Sequence, residues 1–475
     1  MTMKIIKSFR IILLAIFLSV SIKSSYSQSF SPVLDSLLDR TLDSMQIVLG
    51  NKSLSAAIEM PNNFNWAHAT GISSGNPLVN VQPSDVYLIG SVTKTIIAAC
   101  ILQLADSSVL SLDDSLYQWL DTIQYVNPHI TIRQLLRHQS GLYDVLNNPQ
   151  CQPALLADQD SIWAPADLIS TFILPPINVP GSVWSYCNTN YFLLGMIIKS
   201  ATGNEFYTVL RNKFYTQLQL NTFTIPAYET VTSPVAHVWI DLNADGIVDD
   251  AHNFYFNWLS LNAAGGAAGG YYATASDLSK WMRTYMRGDL HSTQMMTEAK
   301  TTITAPGIPG TYGLGLMKKT FLGLQAYGHG GDLSYSASSW YFPDRDISIS
   351  VLNNDSRNNS WTLVPVVTAL LKTYNDWLLT SNINESASEN IQVNVFPNPF
   401  TDHITLSLNS NQIYKHLKCE IVNLLGEKIS VTELSNVLSS DQTIQFKNLA
   451  DLPTGIYILN FLSEEGVLKS IKLAK

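Results

Sequence analysis

Charge is scarce in this sequence: Asp, Glu, Lys and Arg make up 14% of its 475 residues, and the balance is acidic at −9. A chain so poor in Lys and Arg has no basic patch with which to neutralise a phosphate backbone, so nucleic acid is not an expected partner. Cysteine is scarcer still. Cys100, Cys151, Cys187 and Cys419 stand far apart, and there is no H-E-x-x-H, which excludes the common zinc spacings and with them metallo-hydrolysis. The glycine-rich "NAAGGAAGGYYATASDLSKWM" (262–282) lacks G-x-x-x-x-G-K-[ST], so it is no phosphate cradle. Past the N-terminus, no run is apolar for the roughly 20 residues that a spanning helix needs. What is plentiful is core material: 46% hydrophobic residues, with 10 Trp and 21 Tyr, a globular composition.

The N-terminus reads "MTMKIIKSFRIILLAIFLSVSIKSSYSQ". Lys4, Lys7 and Arg10 precede an apolar stretch from Ile11 to Val20, and small residues follow at Ser25-Tyr26-Ser27. This is the pattern of a secretory signal peptide over 1–27, cleaved after Ser27 on export across the inner membrane. Its apolar core is shorter than a spanning helix, so the mature chain is expected to have no transmembrane segment. In an oxidising compartment four cysteines allow three full pairings. Cys100, on the apolar face of a helix, reads as a buried free thiol, and a Cys151–Cys187 bridge is left open.

From residue 28 to about 380 helical and strand patterns mix. "SPVLDSLLDRTLDSM" (31–45) and "ASDLSKWMRTYMRG" (275–288) repeat apolar residues at helical spacing, whereas "DISISVLNND" (346–355) alternates. The expectation is an α+β or α/β layered domain. "SNINESASENIQ" (381–392) has no apolar period and reads as a linker. Beyond it, "HITLSL", "KCEIVNLLGEKI", "QTIQF" and "GIYILNFL" are strands separated by turn residues, the pattern of a small β-sandwich over 393–475.

The chemistry starts at "GSVTK". Ser91 and Lys94, three apart on a helix, share a face. A serine hydroxyl becomes a nucleophile when an adjacent base takes its proton, and a lysine does so if burial lowers its pKa. N–H groups at a helix N-terminus suit an oxyanion. The same two residues also fit an N-capping serine with a snorkelling lysine, and the motif by itself does not choose.

With its context, "IGSVTKTIIAACILQLADSSVLSLDDSL" followed by "ITIRQLLRHQSGLYDV" (130–145), the segment resembles the penicillin-recognising serine hydrolases: D-alanyl-D-alanine carboxypeptidases, class C β-lactamases and their esterase relatives. The likeness spans roughly 30–378, with Leu135 to Leu142 matching the family's "LLxHxSGL". It implies a β-lactamase/transpeptidase-like fold, an antiparallel sheet with flanking helices and a helical subdomain, working through an acyl-enzyme on Ser91. Of three Y-x-N triplets, Tyr125-Val126-Asn127, Tyr186-Cys187-Asn188 and Tyr255-Phe256-Asn257, the middle one has the right company in "PGSVWSYCNTNYFLLG". The resemblance makes Tyr186 the acid/base, held toward phenolate beside a cationic Lys94, and Asn188 a substrate ligand. At the place of the family's K-T-G or H-T-G triad stands His329-Gly330-Gly331, a histidine of moderate, pH-dependent charge. Asp332 follows, its backbone N–H implied as the second oxyanion donor beside that of Ser91. Gly330 departs from the usual Thr or Ser, whose hydroxyl helps hold a substrate carboxylate. That raises esterase and amino-amidase readings beside the carboxypeptidase one; a non-catalytic peptidoglycan-peptide binder is the reading from another class. Small peptides, β-lactams and esters are thus the implied substrates. His138 belongs to the helix-end motif and reads as structural.

"VFPNPF" (395–400), "NLLGEKI" (423–429), "DLPTGIYIL" (451–459) and the basic end "KSIKLAK" resemble the C-terminal sorting domain of the type IX secretion system of Bacteroidetes. This implies the type IX machinery as a partner and a secreted or surface-held product. The acyl-serine chemistry requires no cofactor. One metal is suggested: in "DLNADGIVDD" Asp241, Asn243, Asp245, Gly246 and Asp249 match positions 1, 3, 5, 6 and 9 of a calcium loop, with His252 where the bidentate acid belongs. Such a calcium would be structural, and a polar hairpin turn explains the same residues.

Overall fold

The computed structural model describes residues 31–254, 259–381, 391–398, 400–410, 414–423, 428–437, 442–452, 456–463 and 466–475. The signal segment, the third Y-x-N triplet and most of the linker lie outside these described residues. The linker as read ends too late, since a strand already starts at Ile391.

The centre is an antiparallel sheet that runs, edge to edge, through Leu78–Asn80, Asn65–Gly75, Ser53–Glu59, Ile347–Asn353, Tyr335–Phe342, Leu324–Leu333, Met317–Phe321, Thr311–Tyr312 and Ile303–Thr304. Its interior strand Ser53–Glu59 is buried on both faces, and the period of two sorts its side chains. Leu54, Ala56 and Ile58 join the core formed with Leu34, Leu38 and Leu42 of helix Pro32–Leu49 and Val366, Val367 and Leu370 of helix Val364–Ser381. The opposite face carries small residues, and helix Ala275–Arg287 settles closely on it: Ser279 Oγ donates to Ala57 O at 3.1 Å and Ser348 Oγ donates to Ser279 O at 2.6 Å. Helices Pro32–Leu49 and Ala275–Arg287 end in left-handed glycine caps, Gly50 (φ 63°) and Gly288 (φ 87°).

Helices Thr93–Asp106, Thr189–Thr202 and Leu259–Gly269 build the second core beside the sheet. Thr93–Asp106 is apolar nearly all round and buries eleven of its residues, including Cys100; it is the central helix of this subdomain. All four cysteines are buried free thiols, so the Cys151–Cys187 bridge is not formed. Cys187 is held differently, its backbone N–H donating to His138 Nδ1 at 3.1 Å.

The C-terminal part has its own core. Strands Ile391–Phe396, Ile404–Ser410 and Gln442–Phe446 form one sheet, and Lys428–Val437, Tyr414–Asn423, Ile456–Ser463 and Gly466–Ala474 another. Alternate residues Ile404, Leu406 and Leu408 of the first sheet share one apolar cluster with Leu417, Cys419, Ile421, Leu459 and Phe461 of the second, as in a β-sandwich.

Candidate active site

Ser91 is not the first residue of the long helix. It sits in a single tight 3-10 turn, Gly90–Val92, that runs into Thr93–Asp106. Gly90 is required there: its φ is 50°, and a Cβ on it would lie 2.6 Å from Asp332 N. Neither segment receives a side-chain cap, so the capping alternative is not realised. Lys94 does not snorkel either, because its side chain is fully buried.

The lysine amine is surrounded by three acceptors: Ser91 Oγ at 2.9 Å, Asn188 Oδ1 at 2.8 Å and Ala268 O at 2.8 Å. Two of these, the amide oxygen and the carbonyl, can only accept. A neutral amine gives its two hydrogens to them and turns its lone pair to the Ser91 hydroxyl. Burial, opposed by the Asp144 carboxylate and then Cys187, lowers the Lys94 pKa to about 7, which makes the neutral form available near physiological pH.

Asp144 is a member of this cluster that sequence reasoning missed. It accepts from both Asn188 N (2.9 Å) and Asn188 Nδ2 (2.8 Å) and so fixes which way the amide points. Asn188 therefore holds Lys94 with its oxygen, and only its remaining N–H is left for a substrate. Burial raises the Asp144 pKa against these hydrogen bonds.

Tyr186 bonds to Ser91, and its ring lies 5.0 Å from Lys94 Nζ. Burial drives the phenol pKa far up, with the Ser91 bond only partly opposing it. The expected drift toward phenolate is thus reversed: Tyr186 keeps its proton, because a buried phenolate would lose its hydration and gain no full positive charge from a lysine that is itself poised near neutrality.

The strand side carries a second correction. His329 is fully buried, and desolvation, then the Lys94 charge, lowers its pKa to about 3. It is neutral at physiological pH and offers no pH-dependent attraction. Its hydrogen bonds explain its presence. Its Nδ1–H donates to Gly330 O at 2.5 Å, and its Nε2 faces Tyr312 Oη at 3.0 Å. Tyr312 Oη in turn lies 3.1 Å from His138 Nε2, and His138 Nδ1 accepts from Cys187 N. One assignment satisfies all four bonds: His138 donates to Tyr312, which donates to His329. This buried chain ties the Tyr186 loop to the His329 strand. His138, at φ 58° and fully buried, is a structural link as read from the sequence.

Gly330 also has a reason. A Cβ there would lie 2.6 Å from Ser360 Oγ and 2.8 Å from Ser360 Cβ. Thirty residues downstream, Ser360 fills the space that a side chain at 330 would take. Its hydroxyl and N–H both donate to Asp332, at 2.7 Å and 2.6 Å. Gly331 passes against the nucleophile turn, with a Cβ there 2.0 Å from Ile89 O and 2.9 Å from Ser91 N. Ser91, Tyr186, Asn188, His329, Gly330 and Asp332 all line one cleft of about 320 Å³, with Ser360 and Trp361 beside them.

The other candidates lie elsewhere. Tyr125 is exposed, and Asn127 Oδ1 accepts from His129 N at 2.9 Å, an ordinary turn asparagine. In the 241–250 hairpin, Asp241 accepts from the N–H groups of Asp245 and Gly246, and Asp245 accepts from that of Ile247. Asp249 pairs with Ile240 in the strand ladder, and His252 takes the Val238 N–H on Nδ1 while stacking 4.2 Å from the His237 ring. The loop borders a different surface hollow from the one that holds Ser91.

Comparison with known proteins gives two family matches. The beta-lactamase family model covers residues 54–364, and the secretion system C-terminal sorting domain model covers 394–473. Penicillin-binding protein 4* of Bacillus subtilis is 26% identical over 193 residues, 40% of each chain. The D-aminopeptidase of Brucella ovis is 25% identical over 320 residues, 64% of this chain and 56% of that protein. The chain spans about half the length of the curated relatives it matches. Among solved structures, a D-stereospecific amidohydrolase from Streptomyces sp. is 28% identical with a TM-score of 0.59, covering 68% of this chain and 94% of that one. A D-amino acid amidase from Ochrobactrum anthropi, 21% identical with a TM-score of 0.63 over 73% and 99%, shares the fold.

Proposed function

We propose that this chain, which belongs to the beta-lactamase family, is a serine hydrolase that acylates Ser91 and cleaves amide bonds next to a D-residue. The observation that carries the reading is the Lys94 amine, buried, poised near neutrality and 2.9 Å from Ser91 Oγ. The sorting domain at 394–473 directs secretion by the type IX system.

In the acylation step neutral Lys94 takes the Ser91 proton while Oγ attacks the carbonyl carbon. The backbone N–H groups of Ser91 and Asp332 receive the oxyanion. As the tetrahedral intermediate collapses, Tyr186 gives its proton to the leaving nitrogen and is recharged by the Lys94 ammonium. Both groups return to their starting states, and water repeats the cycle on the acyl-enzyme. Asn188 and Asp144 act by holding Lys94. Of the finer readings, D-alanyl-D-alanine carboxypeptidase, esterase and amidase, the names of the relatives and the absence of a hydroxyl at Gly330 favour the amidase.

The test is labelling of the mature protein with a fluorophosphonate, followed by peptide mapping. The expected adduct sits on Ser91 and disappears in Ser91→Ala; an adduct mapped elsewhere, or one that survives the substitution, overturns the assignment.

A further inference from the structure

Resting on that acyl-serine reading, we infer that Asp332, held by Ser360, is the specificity-determining residue that binds the free ammonium of an amino-acid amide and turns away substrates carrying a carboxylate.

Three observations carry this. First, Asp332 is the one acidic side chain among the described residues lining the cleft, where burial raises its pKa and the Ser360 hydrogen bonds oppose that rise; no Lys or Arg lines it, Lys94 is sealed beneath Ser91, and His329 is neutral. The nearby Lys319 is set against an aromatic ring, 5.2 Å from the centroid of Trp361. A substrate carboxylate entering this cleft meets no cation, and it meets an anion at Asp332. An ammonium meets the reverse.

Second, the carboxylate is a built feature. Ser360 gives one donor to each oxygen, Oγ to Oδ2 and N to Oδ1, which aims the group and leaves lone pairs free, since a carboxylate has about four acceptor sites. Ser360 occupies this position because Gly330 has no side chain. Hence the residue that departs from the family pattern and the acid that replaces its role belong to one packing solution: a hydroxyl that would have held a carboxylate is exchanged for a carboxylate held by a hydroxyl.

Third, the reach is right. The Asp332 N–H lies against Gly90 and the nucleophile turn, so its own side chain starts beside the carbonyl oxygen of a bound substrate. The nitrogen of an α-amino acid amide sits on the carbon next to that carbonyl.

The experiment compares D-alanine p-nitroanilide with its N-acetyl and N-succinyl forms, the last supplying a carboxylate, using the mature full chain. Wild type should prefer the free amine, and Asp332→Asn should lower the ratio of kcat/KM for free amine over N-acetyl by about 10–100-fold, the range for one charge-assisted hydrogen bond. Ser360→Ala, which keeps the backbone donor, should lower the same ratio by less. The order should invert for the succinylated substrate, with Asp332→Asn the better enzyme relative to its N-acetyl rate. A ratio unchanged in Asp332→Asn, while the fluorophosphonate still labels Ser91, overturns this inference and leaves the acyl-serine reading standing. Wild type that prefers the N-acetyl or succinyl form overturns it equally. Absence of any Ser91 label in wild type removes the acyl-serine reading itself.

Discussion

The two walls of the cleft are built by different means. On the helical wall Ser91, Lys94, Tyr186 and Asn188 form a cluster whose members bond to one another and to the backbone at Ala268. Its products are a proton acceptor and a proton donor whose affinities burial has pushed in opposite directions, the amine down and the phenol up. On the strand wall, His329, Gly330, Gly331 and Asp332 contribute backbone edge, one neutral imidazole and one carboxylate set by a distant serine. Proton transfer depends on contacts within a few ångströms of Ser91. Choice of substrate depends on which charges a separate segment leaves facing the cleft. On the readings proposed above, proton transfer and choice of substrate are thus assigned to separate walls.

The largest effect should come from the helical wall. Lys94→Met removes the base and should lower the acylation rate by roughly 10³–10⁴-fold, with Tyr186→Phe below it at roughly 10²–10³-fold, as single-turnover kinetics would show. An intermediate effect tests whether the strand wall is a packing unit. Gly330→Thr forces its Cβ against Ser360, and should cost about 1–3 kcal/mol in denaturant unfolding. Adding Ser360→Gly should recover more than half of that, a coupling that two independent sites would not show.

How much of this was readable in the sequence follows the same division. The helical stretches at 31–45 and 275–288, the period-two strand around Ile349 and the separate β-sandwich were legible, because each is a local pattern. So was the Ser91–Lys94 pair, since three residues on a helical path fix a direction, and so was Tyr186 through its resemblance. What the sequence hid was tertiary. Ser360 meets Gly330 only because two chain segments thirty residues apart converge. Asp144 was in plain view, but nothing local indicates that it grips Asn188. The charge states of His329 and Tyr186 were hidden as well: the expectation gave His329 its pKa in water and set Tyr186 beside a fully cationic Lys94, and only the fold shows that His329 is buried and that desolvation lowers the Lys94 amine while raising the Tyr186 phenol.

The smallest effect concerns the chain that joins the walls. His138 and His329 are held neutral, with pKa values below their ordinary 6.5, to about 3 for His329. The unfolded chain binds protons at these sites first, so stability is full above about pH 6.5 and is lost as pH falls toward 3. Melting temperature should drop by at least several degrees across that window, and His329→Asn should flatten its slope. A melting curve that is flat in wild type would break the link.

The central claim is that Lys94 is the base, and the pH dependence of Ser91 labelling tests it most directly. His138 and His329 titrate far below neutrality, so neither imitates its inflection. The labelling rate should rise about tenfold per pH unit up to about 7 and then level off, and the inflection should vanish in Lys94→Met. A rate that keeps climbing toward the ordinary lysine range, or an inflection unchanged in Lys94→Met, would contradict the account.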